Sequence, residues 1–99
     1  MNLPGKHTNL GRVLRAMQGG QHMTAGQVRR AAGLHPDTAV TARIRDLRKL
    51  GCEVYTYSFK HPSTEEKRVW KYWLRKMPAW MRRELRREAS RGWMGEVAA

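Results

Sequence analysis

Thr38, Ala39, Thr41, Ala42, Arg45, Arg48 and Lys49 recur at short intervals through the stretch HPDTAVTARIRDLRKL, residues 35–50. On a helix, where successive side chains turn by about 100°, they lie on or beside a stripe opposite Val40, Ile44 and Leu47. The residue types suit contact with a phosphate backbone and its bases. Ala39 and Ala42 are too small to hold a helix away from a groove. The hydroxyls of Thr38 and Thr41 can meet a phosphate or a base edge, and their methyls a thymine methyl. Arg45 can reach guanine O6 and N7 with two bonds. His35 and Thr38 stand at the N-terminal end, where helices that read DNA touch bases. Arg48 and Lys49 stand further along, where phosphates are the expected partners. Asp46 interrupts the stripe; a local pair with Arg43 or Lys49 accounts for it. The plain alternative for the whole stripe is a solvated helix face.

The rest of the chain adds charge of the same sign. Its 99 residues hold 20 Lys and Arg against 8 Asp and Glu, a formal net charge of +12. So large a surplus on a chain of single-domain size points to a polyanionic partner, either nucleic acid or an anionic membrane surface. Lys60, His61, Lys67 and Arg68 cluster around KHPSTEEKR, with Glu65 and Glu66 partly cancelling them. Arg82, Arg83, Arg86, Arg87 and Arg91 crowd RRELRREASR; they fit a phosphate backbone or a solvated face equally. A membrane-surface helix is disfavoured there because the apolar stripe is narrow.

The elements that must position these groups follow from apolar spacing. Leu10, Val13, Leu14 and Met17 form one helical stripe, predicting a first helix over 9–18 with Asn9 as its cap. Thr24 with Gln27 is a capping box, Met23 and Val28 a hydrophobic staple, and Gly33 stops this second helix. A third helix is expected over 36–50, opened by Pro36 and Asp37 and closed by Gly51, with Leu47 and Cys52 as the hydrophobic pair of its cap. CEVYTYSF, residues 52–59, and KRVWKYWL, residues 67–74, are rich in β-branched and aromatic residues and predict a hairpin. After Pro78 comes a last helix, with Met81, Leu85 and Ala89 as its stripe; Gly92 and Gly95 are expected to end it and EVAA to fray.

Both faces of that hairpin are apolar. Tyr55, Tyr57 and Phe59 alternate with Val54 and Thr56, and Trp70, Tyr72 and Leu74 with Val69 and Trp73. One face packs on the helices. The other needs a cover: the last helix through Trp80, Met81 and Leu85, a second copy of the chain, or stacked bases.

Three helices, a glycine-containing junction and a hairpin form the order of a winged helix-turn-helix. The distance from Gly33 to Val40 is one residue longer than in the commonest version of the motif. TARIRDLRKLGCEVYTY followed by VWKYWL resembles the small winged helix-turn-helix domains of bacteriophage and prophage proteins. Arg43, Ile44, Leu47, Arg48 and Gly51 match that family's helix-to-wing motif; Tyr72 and Leu74 match its second-strand ending loosely, with Trp73 between them. The resemblance covers about residues 9–75. It implies an α+β, mostly helical fold with a winged domain over 9–75 and its C-terminal β-hairpin wing; outside it, the polar residues 1–8 with Pro4 and Gly5 read as a flexible arm, and 76–99 as a basic extra C-terminal helix and tail. It implies a sequence-specific double-stranded DNA-binding protein, a small transcriptional regulator with its third helix in the major groove and its wing and C-terminal arginines on phosphates. An RNA or single-strand binder, a homodimer, and a winged adaptor docking a host or replication protein stay open beside it, as does a role in replication or recombination.

Catalysis is not expected. The four histidines are scattered, no CxxC pair offers a zinc site, and no glycine-rich phosphate loop is present. No cofactor or metal is expected. Cys52 is the single cysteine, so no internal disulfide forms, which suits a cytoplasmic, nucleoid-associated protein of a bacterial host. No apolar run approaches the ~18 residues a membrane span needs, and MNLPGKHTNLGR lacks the apolar stretch of a signal peptide.

Overall fold

The computed structural model describes residues 2–60 and 68–98, and of residues 91–98 the backbone alone. In chain order it contains α1 (Asn9–Met17), β1 (Met23–Thr24), α2 (Ala25–Ala32), α3 (Val40–Lys49), β2 (Glu53–Lys60), β3 (Arg68–Lys76) and α4 (Ala79–Ala98). It is a small α+β chain, about half helical, with one antiparallel sheet in the order β1-β3-β2.

Each helix begins and ends for local reasons. Thr8, one residue before the expected cap, is the N-cap of α1: its hydroxyl accepts from the Gly11 amide at 3.0 Å, satisfying a donor that has no partner inside the helix. Residues 3–8 fold back on this helix. Leu3 packs against the core, and the Pro4 carbonyl accepts from Arg15 Nη1 at 3.0 Å. A Cβ on buried Gly11 would collide with the Gly5 carbonyl. Thr24 and Gln27 form the reciprocal capping box of α2. Gly33 leaves that helix in the left-handed conformation, φ 66°. The Leu34 amide then donates to the Arg29 carbonyl at 3.0 Å, and Leu34 turns inward.

The third helix starts four residues later than its sequence suggests. His35–Thr38 form a turn, closed by the Thr38 amide on the His35 carbonyl at 2.9 Å. The Asp37 amide donates to His35 Nδ1 at 3.1 Å, so the residues expected to open the helix form a turn ahead of it. Ala39 is the N-cap and has no side chain to cap with. The C-terminal end is as the sequence predicts. Gly51, φ 100°, donates to the Arg48 carbonyl and Cys52 to the Leu47 carbonyl, both at 3.1 Å. Leu47 and Cys52 are both buried. These are the two bonds and the apolar pair of a Schellman cap.

The short strand β1 is absent from the sequence-based expectation, because Met23 and Thr24 also spell a helix start. They pair with Tyr72 and Lys71 of β3. The hairpin strands are displaced toward the C-terminus from the expected bounds, β2 running Glu53–Lys60 and β3 Arg68–Lys76. The last helix does not end at Gly92 or Gly95 but continues to Ala98.

One core gathers Val13, Leu14 and Met17 of α1, Val28, Leu34, the three inward residues of α3, Cys52, Val54, Leu74, and Met81 and Leu85 of α4. Met81 and Leu85 therefore do not cover the outer hairpin face. They enter the core, with the Cys52 thiol 3.5 Å from Met81 Sδ. One turn beyond Leu85, Glu88 receives Arg15 of α1 in a two-pronged pair at 2.8 and 2.7 Å. No helix among the described residues is long and apolar enough to cross a membrane.

Candidate nucleic-acid interface

The strand register decides which hairpin residues share a side. Val54 pairs with Leu74, Thr56 with Tyr72, Ser58 with Trp70 and Lys60 with Arg68. Because Val54 and Leu74 enter the core, the alternation of strand side chains puts Thr56, Ser58, Lys60, Arg68, Trp70 and Tyr72 on the helix side of the hairpin. There α3 meets them. Thr41, Ile44, Arg45 and Arg48 line a groove of about 340 Å³ together with Thr56, Trp70 and Tyr72.

The groove has a closed end and an open one. Near β2, Arg48 donates through Nε and Nη2 to the Val54 carbonyl, at 3.2 and 2.8 Å. Its guanidinium is engaged in joining helix to strand. Arg45 and Lys49 are exposed and make no ion pair or hydrogen bond among the described residues. Asp46 faces Arg43 Nε at 3.2 Å, which leaves Arg45 without a paired carboxylate among the described residues. Trp70 is 51% exposed, a large apolar wall at the open end. Beyond it Arg68 donates to Ser58 Oγ at 2.9 Å, and Lys60 is exposed and makes no ion pair or hydrogen bond among the described residues. The groove is thus floored by apolar and hydroxyl groups and rimmed by cations, which suits a polyanion with flat, hydrogen-bonding edges.

Neither protein-family models, curated proteins nor solved structures match this chain.

Of the residues singled out in the sequence, Thr41, Arg45 and Arg48 meet in the groove. Ala39 and Lys49 are exposed at opposite ends of α3, and Ala42 is half-buried on it. His35 and Thr38 lie in the preceding turn, where Arg29 Nη2 donates to the Thr38 carbonyl at 3.3 Å and steadies the approach to α3. Lys60 and Arg68 stand at the distal end of the same face. His61 and Lys67 lie outside the described residues. Arg82, Arg83, Arg86 and Arg87 are exposed on α4 and line other hollows: Arg83, Arg86 and Arg87 share one, and Arg82 and Arg86 border a second beside Gln18 and Met77. Arg87 is turned toward Glu84 at 3.2 Å.

Thr56, Trp70 and Tyr72 were not singled out as site residues. Their signal was present in the alternation that groups Trp70 and Tyr72 with Leu74. That grouping becomes a site only once α3 lies across it. His22 was missed as well; it stacks on Trp73 on the other side of the sheet, at 4.4 Å between centroids.

Proposed function

We propose that this chain is a winged-helix protein that binds double-stranded DNA, a small transcriptional regulator of the bacteriophage and prophage type. In this proposal α3 enters the major groove, with Thr41 and Arg45 at base edges. The β2–β3 hairpin is the wing, whose Lys60 and Arg68 meet the adjacent backbone, and the α4 arginines add phosphate contacts that carry no sequence information. The protein would act in the cytoplasm of a bacterial host, on the nucleoid.

The observation that carries the proposal is the groove between α3 and the inner face of the hairpin, with Arg45 at its rim and unpaired among the described residues. The element order supports it, since a helix, a short strand, two helices and a hairpin in a β1-β3-β2 sheet is the order of a winged helix-turn-helix. The net charge of +12 supports it too. The residue by which the Gly33–Val40 connection exceeds the common motif is accommodated by the His35–Thr38 turn, which delivers Val40 to the core at the start of α3.

Selection from a random duplex pool at roughly 150 mM salt, where non-specific attraction is weakened, tests the proposal. Enrichment of one consensus is the expected result. Retention of all sequences alike, or of none, would contradict it.

A further inference from the structure

The same alternation that sends Trp70 and Tyr72 inward sends Tyr55, Tyr57, Phe59, Val69, Lys71 and Trp73 to the opposite face of the hairpin. Among the described residues, the buried apolar side chains of the helices enter the core on the inner side. Tyr55 and Tyr57 stay 39% and 37% exposed. This outer face is ordered by its own contacts. Trp73 is stacked on one side by His22, with ring planes 9° apart. It meets Tyr55 at 5.1 Å and the edge of Tyr57 at 5.7 Å. The Tyr57 hydroxyl lies 3.1 Å from His22 Nδ1. Trp73 and His22 therefore act as a base plate that holds the two exposed rings in place.

Cations are interleaved with the rings. The Arg75 guanidinium lies over the Tyr55 ring at 4.9 Å and donates to its hydroxyl at 2.7 Å. Lys71 Nζ lies over Phe59 at 5.7 Å. Neither strand has an acidic residue from Tyr55 to Lys60 or from Arg68 to Lys76. Glu53 stands at the start of β2, and Glu65 and Glu66 lie outside the described residues.

We propose that this outer face is a second binding surface, a stacking platform for a single strand of nucleic acid. Unpaired bases would stack on Tyr55, Tyr57 and Phe59, and phosphates would meet Lys71 and Arg75. Charge complementarity selects this occupant. A second copy of the chain seated here would oppose Lys71 and Arg75 with cations like themselves, with no carboxylate between Tyr55 and Lys60 or between Arg68 and Lys76 to offset them. A duplex keeps its bases paired and stacked on one another, out of reach of rings on a sheet face. An unpaired strand offers both a base plane for each ring and a negative charge for each cation. Rings held in advance by Trp73 and His22 lose little freedom on stacking, which favours binding. The inference does not depend on the groove beside α3, because the two sets of side chains point to opposite sides of one sheet.

Fluorescence anisotropy of a labelled oligothymidylate with the full chain tests it, with Tyr57→Ser and Arg75→Glu as variants. Arg75 is exposed, and a thermal melt checks that each variant is folded. The wild type is expected to bind in a salt-sensitive manner. Each variant should weaken binding about ten-fold or more, as loss of one stacked base does, while Arg45→Ala leaves it unchanged. Wild-type affinity in both variants would overturn the inference. So would loss of oligothymidylate binding in Arg45→Ala, which would assign the strand to the groove and leave the duplex proposal standing. Sedimentation that shows a dimer dissociated by Tyr57→Ser or Arg75→Glu would also overturn it, making the face a contact between copies.

Discussion

Arg48 of α3 grips the backbone of β2, donating through Nε and Nη2 to the Val54 carbonyl at 3.2 and 2.8 Å. The contact spans the Gly51 junction and sets how the helix stands relative to the hairpin. Two bonds from a planar fork fix an angle as well as a distance, which a lysine cannot do. Arg48→Ala should lower stability by about 0.5–1.5 kcal/mol, the range for a partly exposed hydrogen bond. Arg48→Lys should recover little of it. Chemical denaturation of the two variants checks this; an unchanged midpoint for Arg48→Ala would mean that the guanidinium is free for phosphate.

A second tether fixes α4. The Arg15–Glu88 pair is about four-fifths buried on each side, and Arg15 also donates to the Pro4 and Gly11 carbonyls. Those carbonyls would keep Arg15 partly satisfied if Glu88 were lost. Glu88→Gln is therefore expected to cost roughly 1–2 kcal/mol. A double-mutant cycle with Arg15→Ala should give a coupling of about 1 kcal/mol. Zero coupling would show that α4 is held without the Arg15–Glu88 pair, through contacts such as those of Met81 and Leu85.

Much of this architecture was legible in the chain, for identifiable reasons. The Schellman cap at Gly51 was readable because its bonds and its apolar pair lie within six residues. The capping box at Thr24 was readable for the same reason. The start of α3 was not: Pro36 and Asp37 are good first-turn residues, but the His35 ring nitrogen accepts the Asp37 amide and holds the segment as a turn. Strand β1 escaped because two residues carry no alternation of their own and form a strand only through pairing with Tyr72 and Lys71. The inner groove escaped for a related reason. Arg45 and Trp70 are 25 positions apart in the chain, and only packing brings them to one wall. The engagement of Arg48 with Val54 is likewise a tertiary fact that no helical wheel contains.

Two of the three left-handed glycines, Gly33 and Gly51, should respond unequally to alanine. Gly33 has φ 66° and open space where a Cβ would go, so Gly33→Ala should cost only the left-handed backbone penalty, about 1–2 kcal/mol. Gly51 has φ 100°, and a Cβ there would stand 3.0 Å from Pro78 Cγ. Gly51→Ala should cost more, up to about 3 kcal/mol. Denaturation midpoints that placed Gly33→Ala below Gly51→Ala would contradict the order.

Burial pushes the Cys52 thiol pKa above its ordinary value by desolvating the thiolate. The folded chain therefore holds that proton more tightly than the unfolded chain. The corresponding stability is fully present below the unfolded thiol's pKa and is lost as pH rises through the folded one. Between neutral pH and about pH 9.5, above the ordinary thiol range, the denaturation midpoint should fall further in wild type than in Cys52→Ser. Alkylation of Cys52 should be slow in the native protein and fast in denaturant; equal rates would place the thiol at the surface.

The central claim is that Arg45 reads a base while the α4 arginines hold only the backbone. It is tested most directly by titrating wild type, Arg45→Ala and Arg87→Ala against the selected duplex and a scrambled one across a range of salt. Arg45→Ala should lose roughly 1–3 kcal/mol on the selected duplex and relax specificity at one position. Arg87→Ala should weaken both duplexes alike and flatten the salt dependence by about one unit of slope. If Arg45→Ala binds both duplexes as tightly as the wild type does, α3 is not the element that reads DNA.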